Sequence, residues 1–391
     1  MFVYDDAVNL LTYAEKFRIS LGLERIEKIL ELLDNPQDKL NCIHVAGTNG
    51  KGSVCAILSS ILVCAGKKTG LYTSPHIFKY TERIQINAEP ISDENFSRYV
   101  LEITNLAEKN NIDLTEFEIL TAVMFKYFAD NKVEVAVLET GLGGRFDATN
   151  VIKRNLCSII THVDFDHTER LGDTIDKIAF EKAGIIKPGC PCIVFEGREV
   201  YKYTTGRKGA PLIMIAPFVN TAHLSLKGIF QQENMSLAIE AIRTVFPEIT
   251  QGTIDIGLQK VKHICRFQYI KDKNLIIDGA HNPNGIEALC TSLDFYYPAQ
   301  KRRFIFGCLK NKDYKKMITT LFTPSDEIYF YHFKHKNSCT IEELQRVCPF
   351  DTQEFTKDTA IDFQDGKLNI ICGSFYMIAE LSHILRFNCN K

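Results

Sequence analysis

Apolar residues recur at helical spacing from Asp5 to Leu33 (Leu10, Leu11, Tyr13, Phe17, then Ile26, Ile29, Leu30, Leu33) and are interrupted at Ser20-Leu-Gly-Leu23. This predicts two helices around a short turn. Beyond them the pattern changes to short β-branched runs, each closed by turn residues and followed by a helix-like stretch. Lys67 to His76 reads as a strand ending in a turn, 92–130 as two helices joined near 110–114, and Val133 to Glu139 as a buried strand. Leu156 to Val163 reads as another strand, with a helix after it through Ala179 to Gly184. Residues 187–227 are rich in turn formers and read as short strands and loops, and 230–242 as a helix. The remainder repeats the alternation, with strands at 274–277, 303–306, 327–331 and 368–372 and helical patterns at 278–285 and 341–347. Strands alternating with helices predict an α/β protein with a mostly parallel sheet and a second, smaller doubly wound sheet.

A chain of 391 residues exceeds what one hydrophobic core usually organises. The stretch Lys262-His-Ile-Cys-Arg-Phe-Gln268 reads as a linker, so the expected domains are 1–265 and 266–391. Hydrophobic residues at 45% and charged ones at 24% are those of an ordinary globular protein, and a net charge of −2 argues against nucleic acid as the main partner. No run approaches the roughly 18 apolar residues of a membrane span. Thirteen cysteines without CxxC pairs, behind an acidic N-terminus, imply reduced thiols and a cytoplasmic location.

Candidate chemistry gathers in the turns after strands. His44-Val-Ala-Gly-Thr-Asn-Gly-Lys-Gly-Ser53 precedes a long helix-like run, Val54 to Ala65. Its glycines can turn N–H groups inward, Lys51 can reach the β/γ-phosphates, and the following helix adds its positive end. Thr48, Asn49, Gly50, Lys51, Gly52 and Ser53 are therefore the candidate triphosphate contacts. Val45 stands where the first glycine of GxxxxGK[ST] belongs, and Ser53 comes one residue late, so an ordinary glycine-rich turn stays open on the residues alone. Glu139 ends a buried strand, where a carboxylate can meet a nucleotide-bound magnesium ion. His167 lies past a strand beside two aspartates, as a metal ligand or a capped surface imidazole. Ser74, Asn234, Asp278 and Ser374 can each be read as a cap, Thr115 with Glu118 as a capping box, and Lys182 as a surface lysine paired with Glu181 or Asp176.

The form GTNGKGS resembles the phosphate loop of the Mur-ligase superfamily, ATP-dependent enzymes that join an amino acid to a carboxylate. The surrounding words narrow the resemblance to the folylpolyglutamate synthase and dihydrofolate synthase family: LGLER at 21–25, TSPH at 73–76, TERI at 81–84, TEFE at 115–118, ETGLGGR with DATN at 139–150, DHT at 166–168, EKAG at 181–184, DGAHNP at 278–283 and GS at 373–374. The family's PGRFQ is IleCys-RFQ here, with Ile264 and Cys265 in place of Pro-Gly. The weak zone is 187–227, which holds no family phrase.

That resemblance implies a P-loop central domain and a Rossmann-like C-terminal domain that closes over the cleft, with Arg266 near the hinge. It implies magnesium ligands at Ser74, Glu139 and His167, two ion sites, and a carbamylated Lys182, since a bare ammonium would repel Mg²⁺. By the same resemblance Thr115, Glu116, Phe117 and Glu118 hold the pterin end of the acceptor, and Phe146, Asp147 and Ala148 line its pocket. Asn234 meets adenine, Arg266 and Asp278 the nucleotide, and His281 and Ser374 the incoming glutamate. Arg83 is a candidate anion clamp, and Lys51, Lys182 and His281 are the candidate catalytic groups. The implied reaction is ATP-dependent addition of L-glutamate to a pteroate or folate carboxylate, by a monomer acting on small molecules. A Mur-type ligase for another acceptor is the alternative within the fold, and a P-loop binding module without ligase activity is the alternative outside it.

Overall fold

A computed structural model of the chain describes residues 3–14, 22–216 and 224–385. The described chain divides into two compact units, Met1–Leu224 with Gln232–Val261, and Ser225–Gln231 with Lys262–Lys391. The main break thus falls at 261/262, just ahead of the expected 265/266.

In the first unit the elements run α1 (Tyr4–Ala14), α2 (Glu24–Leu32), β1 (Cys42–Ala46), α3 (Lys51–Cys64), β2 (Thr69–Tyr72), β3 (Ile84–Ile86), β4 (Glu89–Pro90), α4 (Asp93–Lys109), α5 (Glu116–Asp130), β5 (Val135–Glu139) and β6 (Cys157–Ile160). They continue with α6 (Thr168–Leu171), α7 (Ile175–Ala183), β7 (Cys192–Val194), α8 (Glu199–Lys208), β8 (Leu212–Met214), α9 (Gln231–Val245) and α10 (Gln251–Lys260). The eight described strands form one sheet in the order β4-β3-β2-β5-β1-β6-β7-β8, parallel except for the hairpin additions of β3 and β4. The turn expected at 20–23 lies partly outside the described residues.

The order matters for chemistry because β1 is flanked by β5 and β6, so three carboxyl ends lie side by side. Register brings Glu139 opposite Val45 and Ile160 opposite Ala46, and adjacent strands lie about 4.8 Å apart. α3 carries apolar residues all round (VCAILSSILVC), which suits a helix buried on every side. One of its neighbours is α10, where Gly257 lets the backbones close: a Cβ there would sit 2.7 Å from Ile61 Cα, and Ser60 Oγ donates to Gly257 O at 2.7 Å. Helices α1, α2, α4 and α5 bury Leu11, Ile29, Phe96 and Phe125 in one core.

Residues 187–227 depart from expectation, because Glu199–Lys208 is a helix. Its sequence, EVYKYTTGRK, mixes β-branched, aromatic and glycine residues with little apolar periodicity, so propensity gives no helical signal. Its end follows ordinary rules: Arg207 and Lys208 occupy the last turn and Gly209 takes a left-handed φ of 58°.

The second unit contains β9 (Gln268–Ile270), β10 (Leu275–Ile277), α11 (Pro283–Tyr296), β11 (Arg302–Phe306), α12 (Tyr314–Leu321), β12 (Glu327–Phe330), α13 (Ile341–Gln345), β13 (Gln353–Glu354), β14 (Leu368–Cys372) and α14 (Phe375–Ile384). Its sheet runs β13-β12-β11-β14-β10-β9, parallel except for β9. Ile277 pairs with Ile371, and Asp278 N donates to Ile371 O at 3.0 Å, so the turns holding Asp278 and Ser374 are neighbours.

Candidate active site

The glycine-rich turn leaves β1 at Ala46, and Gly50 caps α3 with a φ of 90°. That left-handed backbone favours glycine, and any side chain at Gly50 would strike the amide oxygen of Asn234. Asn234, in the first turn of α9 and not at its cap, is thereby placed against the loop. Lys51 folds over the turn and donates to Gly47 O at 3.0 Å and Thr48 O at 3.1 Å. Ser53 is buried in the first turn of α3.

The exit of β6 is clamped to this turn. Thr48 N donates to His162 O at 2.8 Å, Thr48 Oγ1 donates to Asp164 O at 3.0 Å and accepts from Asp164 N at 3.1 Å, and Thr161 Oγ1 donates to Asn49 O at 2.6 Å. His167 follows in a left-handed conformation (φ 50°) ahead of α6, its imidazole 3.8 Å from Asp166 and 3.7 Å from Glu169. Glu139 is 5% exposed and accepts from Ser74 N at 3.0 Å, which joins the TSPH turn to the strand end. Among the described residues no three His, Cys, Asp or Glu side chains gather into one metal cluster. Glu139 and His167 thus bracket the turn without forming a preassembled cage.

Lys182, read on its residues as a surface lysine, is 3% exposed, and its Nζ donates to Gly47 O at 2.8 Å. Lys51 donates to the same oxygen, so two lysine Nζ atoms share one carbonyl. Burial first, and then the Lys51 charge, pull the Lys182 ammonium well below the ordinary lysine range, against the opposing pull of Asp166 and Asp147. Glu181, beside it, pairs with Arg145 instead.

Of the residues expected to hold the acceptor, several are engaged within the fold. Thr115 and Glu118 form the capping box of α5. Glu118 also pairs with Arg25 at 3.0 Å, so the Arg25 of LGLER reaches across the fold to α5. Arg83 donates to His76 Nδ1 at 2.9 Å and lies 3.7 Å from Glu116. Phe117 fills the space left by Gly141, where a Cβ would come within 2.6 Å of its ring. Asp147 is buried and accepts from the N–H groups of Gly141, Leu142 and Thr149 and from the Thr149 hydroxyl. It therefore shapes the 141–149 loop, with Ala148 buried and Phe146 39% exposed.

In the second unit Asp278 accepts from Phe267 N at 2.7 Å and Ala280 N at 2.8 Å, and burial raises its carboxyl above the usual range against the Arg266 charge. It does not cap α11; Asn282 does. Ser374 stands at the N-cap position of α14, yet its Oγ is buried and makes no hydrogen bond there. His281 Nδ1 lies 2.8 Å from Gly279 O, and Arg266 lies over the Phe375 ring at 4.9 Å. Cys265 occupies the missing glycine's place with a left-handed φ of 57°, so the turn survives without Pro-Gly. His76, Arg25, Arg145 and Thr161 were not singled out as site residues by sequence; their signal lies in contacts far apart in the chain.

A triphosphate-type loop, a strand-end carboxylate and a buried lysine at adjacent parallel strand ends, with a second α/β unit, are the equipment of a Mur-type ligase. Residues 265–375 match the family described as Mur ligase, glutamate ligase domain. The chain is 33% identical to the dihydrofolate synthase/folylpolyglutamate synthase of Bacillus subtilis over 98% of its own length and 99% of that protein. Among solved structures it is similar to Escherichia coli FolC in complex with DHPP and ADP (TM-score 0.86, 28% identity, 97% of each chain). It is also similar to the bifunctional folylpolyglutamate synthase/dihydrofolate synthase of Yersinia pestis complexed with AMPPNP and manganese (TM-score 0.86, 28% identity, 97% of this chain and 98% of that one). The chain belongs to the folylpolyglutamate synthase/dihydrofolate synthase family, ATP-dependent ligases that add glutamate to folates.

Proposed function

We propose that this protein joins L-glutamate to the carboxylate of a pteroate or folate acceptor, with ATP converted to ADP and phosphate. The observation that carries the reading is the convergence of Lys51, Lys182 and the Thr161–Asp164 exit on one glycine turn, with Glu139 on the neighbouring strand, in a chain similar to the B. subtilis dihydrofolate synthase/folylpolyglutamate synthase over nearly the whole length of both. A carboxylate is a poor electrophile for an amine. Its oxygen attacks the γ-phosphorus, ADP leaves, the glutamate α-amine attacks the resulting acyl phosphate, and phosphate departs as the amine loses its proton. Positioning and charge neutralisation are the protein's share.

Lys51 and the loop amides would hold the β/γ-phosphates. Glu139, Ser74 and Ser53 suit a divalent cation, because oxygen donors beside phosphates match a hard ion, and His167 would add an imidazole nitrogen. When bound, such an ion neutralises phosphate charge. A bare Lys182 ammonium does not fit there, whereas burial favours the neutral amine, which is the form that reacts with CO₂. Carbamylated Lys182 would supply an anion facing Lys51. Thr115, Glu116, Phe117, Glu118, Phe146, Asp147 and Ala148 surround the acceptor, with Asp147, Thr115 and Glu118 acting by setting its walls. Asn234, Arg266 and Asp278 serve the nucleotide, and Arg83 an acceptor or phosphate anion. The unpartnered Ser374 hydroxyl and His281 serve glutamate.

Turnover with dihydropteroate or a reduced folate, each with ATP and glutamate, is expected to add one glutamyl residue by mass with stoichiometric ADP. ATP binding with no glutamate-dependent product from either acceptor would overturn the proposal in favour of a binding module.

A further inference from the structure

Lys182 sits at the end of α7, and that helix is fastened to the acceptor-side loop by one residue with no role so far. Arg145 N donates to Glu181 O at 2.7 Å, and its guanidinium grips the Glu181 carboxylate with two bonds, Nη2 to Oε1 at 2.7 Å and Nε to Oε2 at 3.2 Å. The guanidinium also lies over the rings of Phe146, at 4.4 Å, and Phe180, at 5.0 Å. Backbones close behind it: a Cβ at Gly144 would lie 2.9 Å from both Glu181 O and Lys182 O, and one at Gly184 would strike Arg145 itself. Asn150 Nδ2 donates to Arg145 O at 3.0 Å and Gly184 O at 3.3 Å, pinning both segments.

An exposed ion pair alone contributes little. This one is bidentate, lies against two aromatic rings, and is backed by close backbone contacts at Gly144 and Gly184. The loop it holds carries Phe146, Asp147 and Ala148, and the helix end it holds carries the lysine on Gly47 O. We infer that Arg145 is a positioning residue that couples the acceptor loop to Lys182 and so holds the lysine against the phosphate turn. The inference rests on the ligase reading for its kinetic consequence but not for its structural one.

The test uses the full-length protein and the variants Arg145→Ala, Arg145→Lys and Glu181→Ala. Amide hydrogen exchange over 175–184 is expected to accelerate in Arg145→Ala while α3 stays as protected as in the parent. In turnover, kcat falls roughly ten- to hundredfold, KM for acceptor rises, and KM for ATP is unchanged, because a misplacement of about 1 Å suffices for such losses. Lysine does not rescue, since it cannot form the fork, and Glu181→Ala combined with Arg145→Ala costs no more than either alone. Unchanged exchange over 175–184, a kcat within twofold of the parent, rescue by lysine, or an equal loss of ATP affinity would each overturn the coupling. A parent protein without glutamate-dependent turnover would instead overturn the proposed function, leaving exchange to decide Arg145.

Discussion

Replacing Lys182 by alanine is expected to lower kcat by about 10³-fold, the scale set by removing a preorganised charged group from a water-excluded site. The side chain is 3% exposed and shares the Gly47 carbonyl with Lys51. Two ammonium groups there would repel each other and any cation, while a carbamate and Lys51 attract. The chemical form decides what rescues the variant. Formate or acetate, small enough for the space vacated, should restore saturable turnover to Lys182→Ala, whereas methylamine should not. Rescue by the amine and not by carboxylates would mean that the ammonium is the working form. A variant within tenfold of the parent would remove Lys182 from the chemistry.

The second large effect is on stability. Arg303, 5% exposed in β11, donates to Glu327 at 3.0 Å, Asn369 Oδ1 at 3.1 Å and Asp362 O at 3.1 Å, and pairs with Asp365. Lys367 bridges Glu327 and Asp365 from outside. Arg303→Ala removes the central cation, leaving Glu327 to Lys367 and the Tyr329 hydroxyl and Asp365 to Lys367, and should lower unfolding stability by about 3 kcal/mol, at the low end for breaking a buried charge network because Glu327 and Asp365 keep some water. Denaturant titration checks this, and a loss below about 1 kcal/mol would contradict it. Arg303 brings the Asp365 carboxyl down to about 2. A depressed carboxyl stabilises the fold above its unfolded value of about 3.9, so its contribution is present at neutral pH and disappears as pH falls from about 4 toward 2. In Arg303→Ala that acid-sensitive part should shrink.

Local chemistry was legible where a single segment carries it. The strand ending at Glu139, the capping box at Thr115–Glu118 and the glycine turn before α3 appear where the apolar pattern and turn residues put them. The last strand, Leu368–Cys372, agrees to the residue. What escaped is non-local. Lys182 enters the site only through the family resemblance, because nothing around it in the chain shows that the fold will bury it beside Gly47. The Arg25–Glu118 pair joins residues 93 apart in the chain. Asp147 reads as a pocket carboxylate, yet four donors from its own loop occupy it. Helix α8 was hidden because its residues favour strands singly and its helical form depends on packing against α7, where Tyr201 joins the core of Ile178 and Ala179.

The proposed ligation requires that ATP activate the acceptor's carboxylate as an acyl phosphate at the Lys51 turn. Acceptor labelled with ¹⁸O in that carboxylate should, during glutamate-dependent turnover, deliver one labelled oxygen to each inorganic phosphate released, as read by phosphorus NMR. Phosphate formed in step with the glutamylated product but free of label would contradict it.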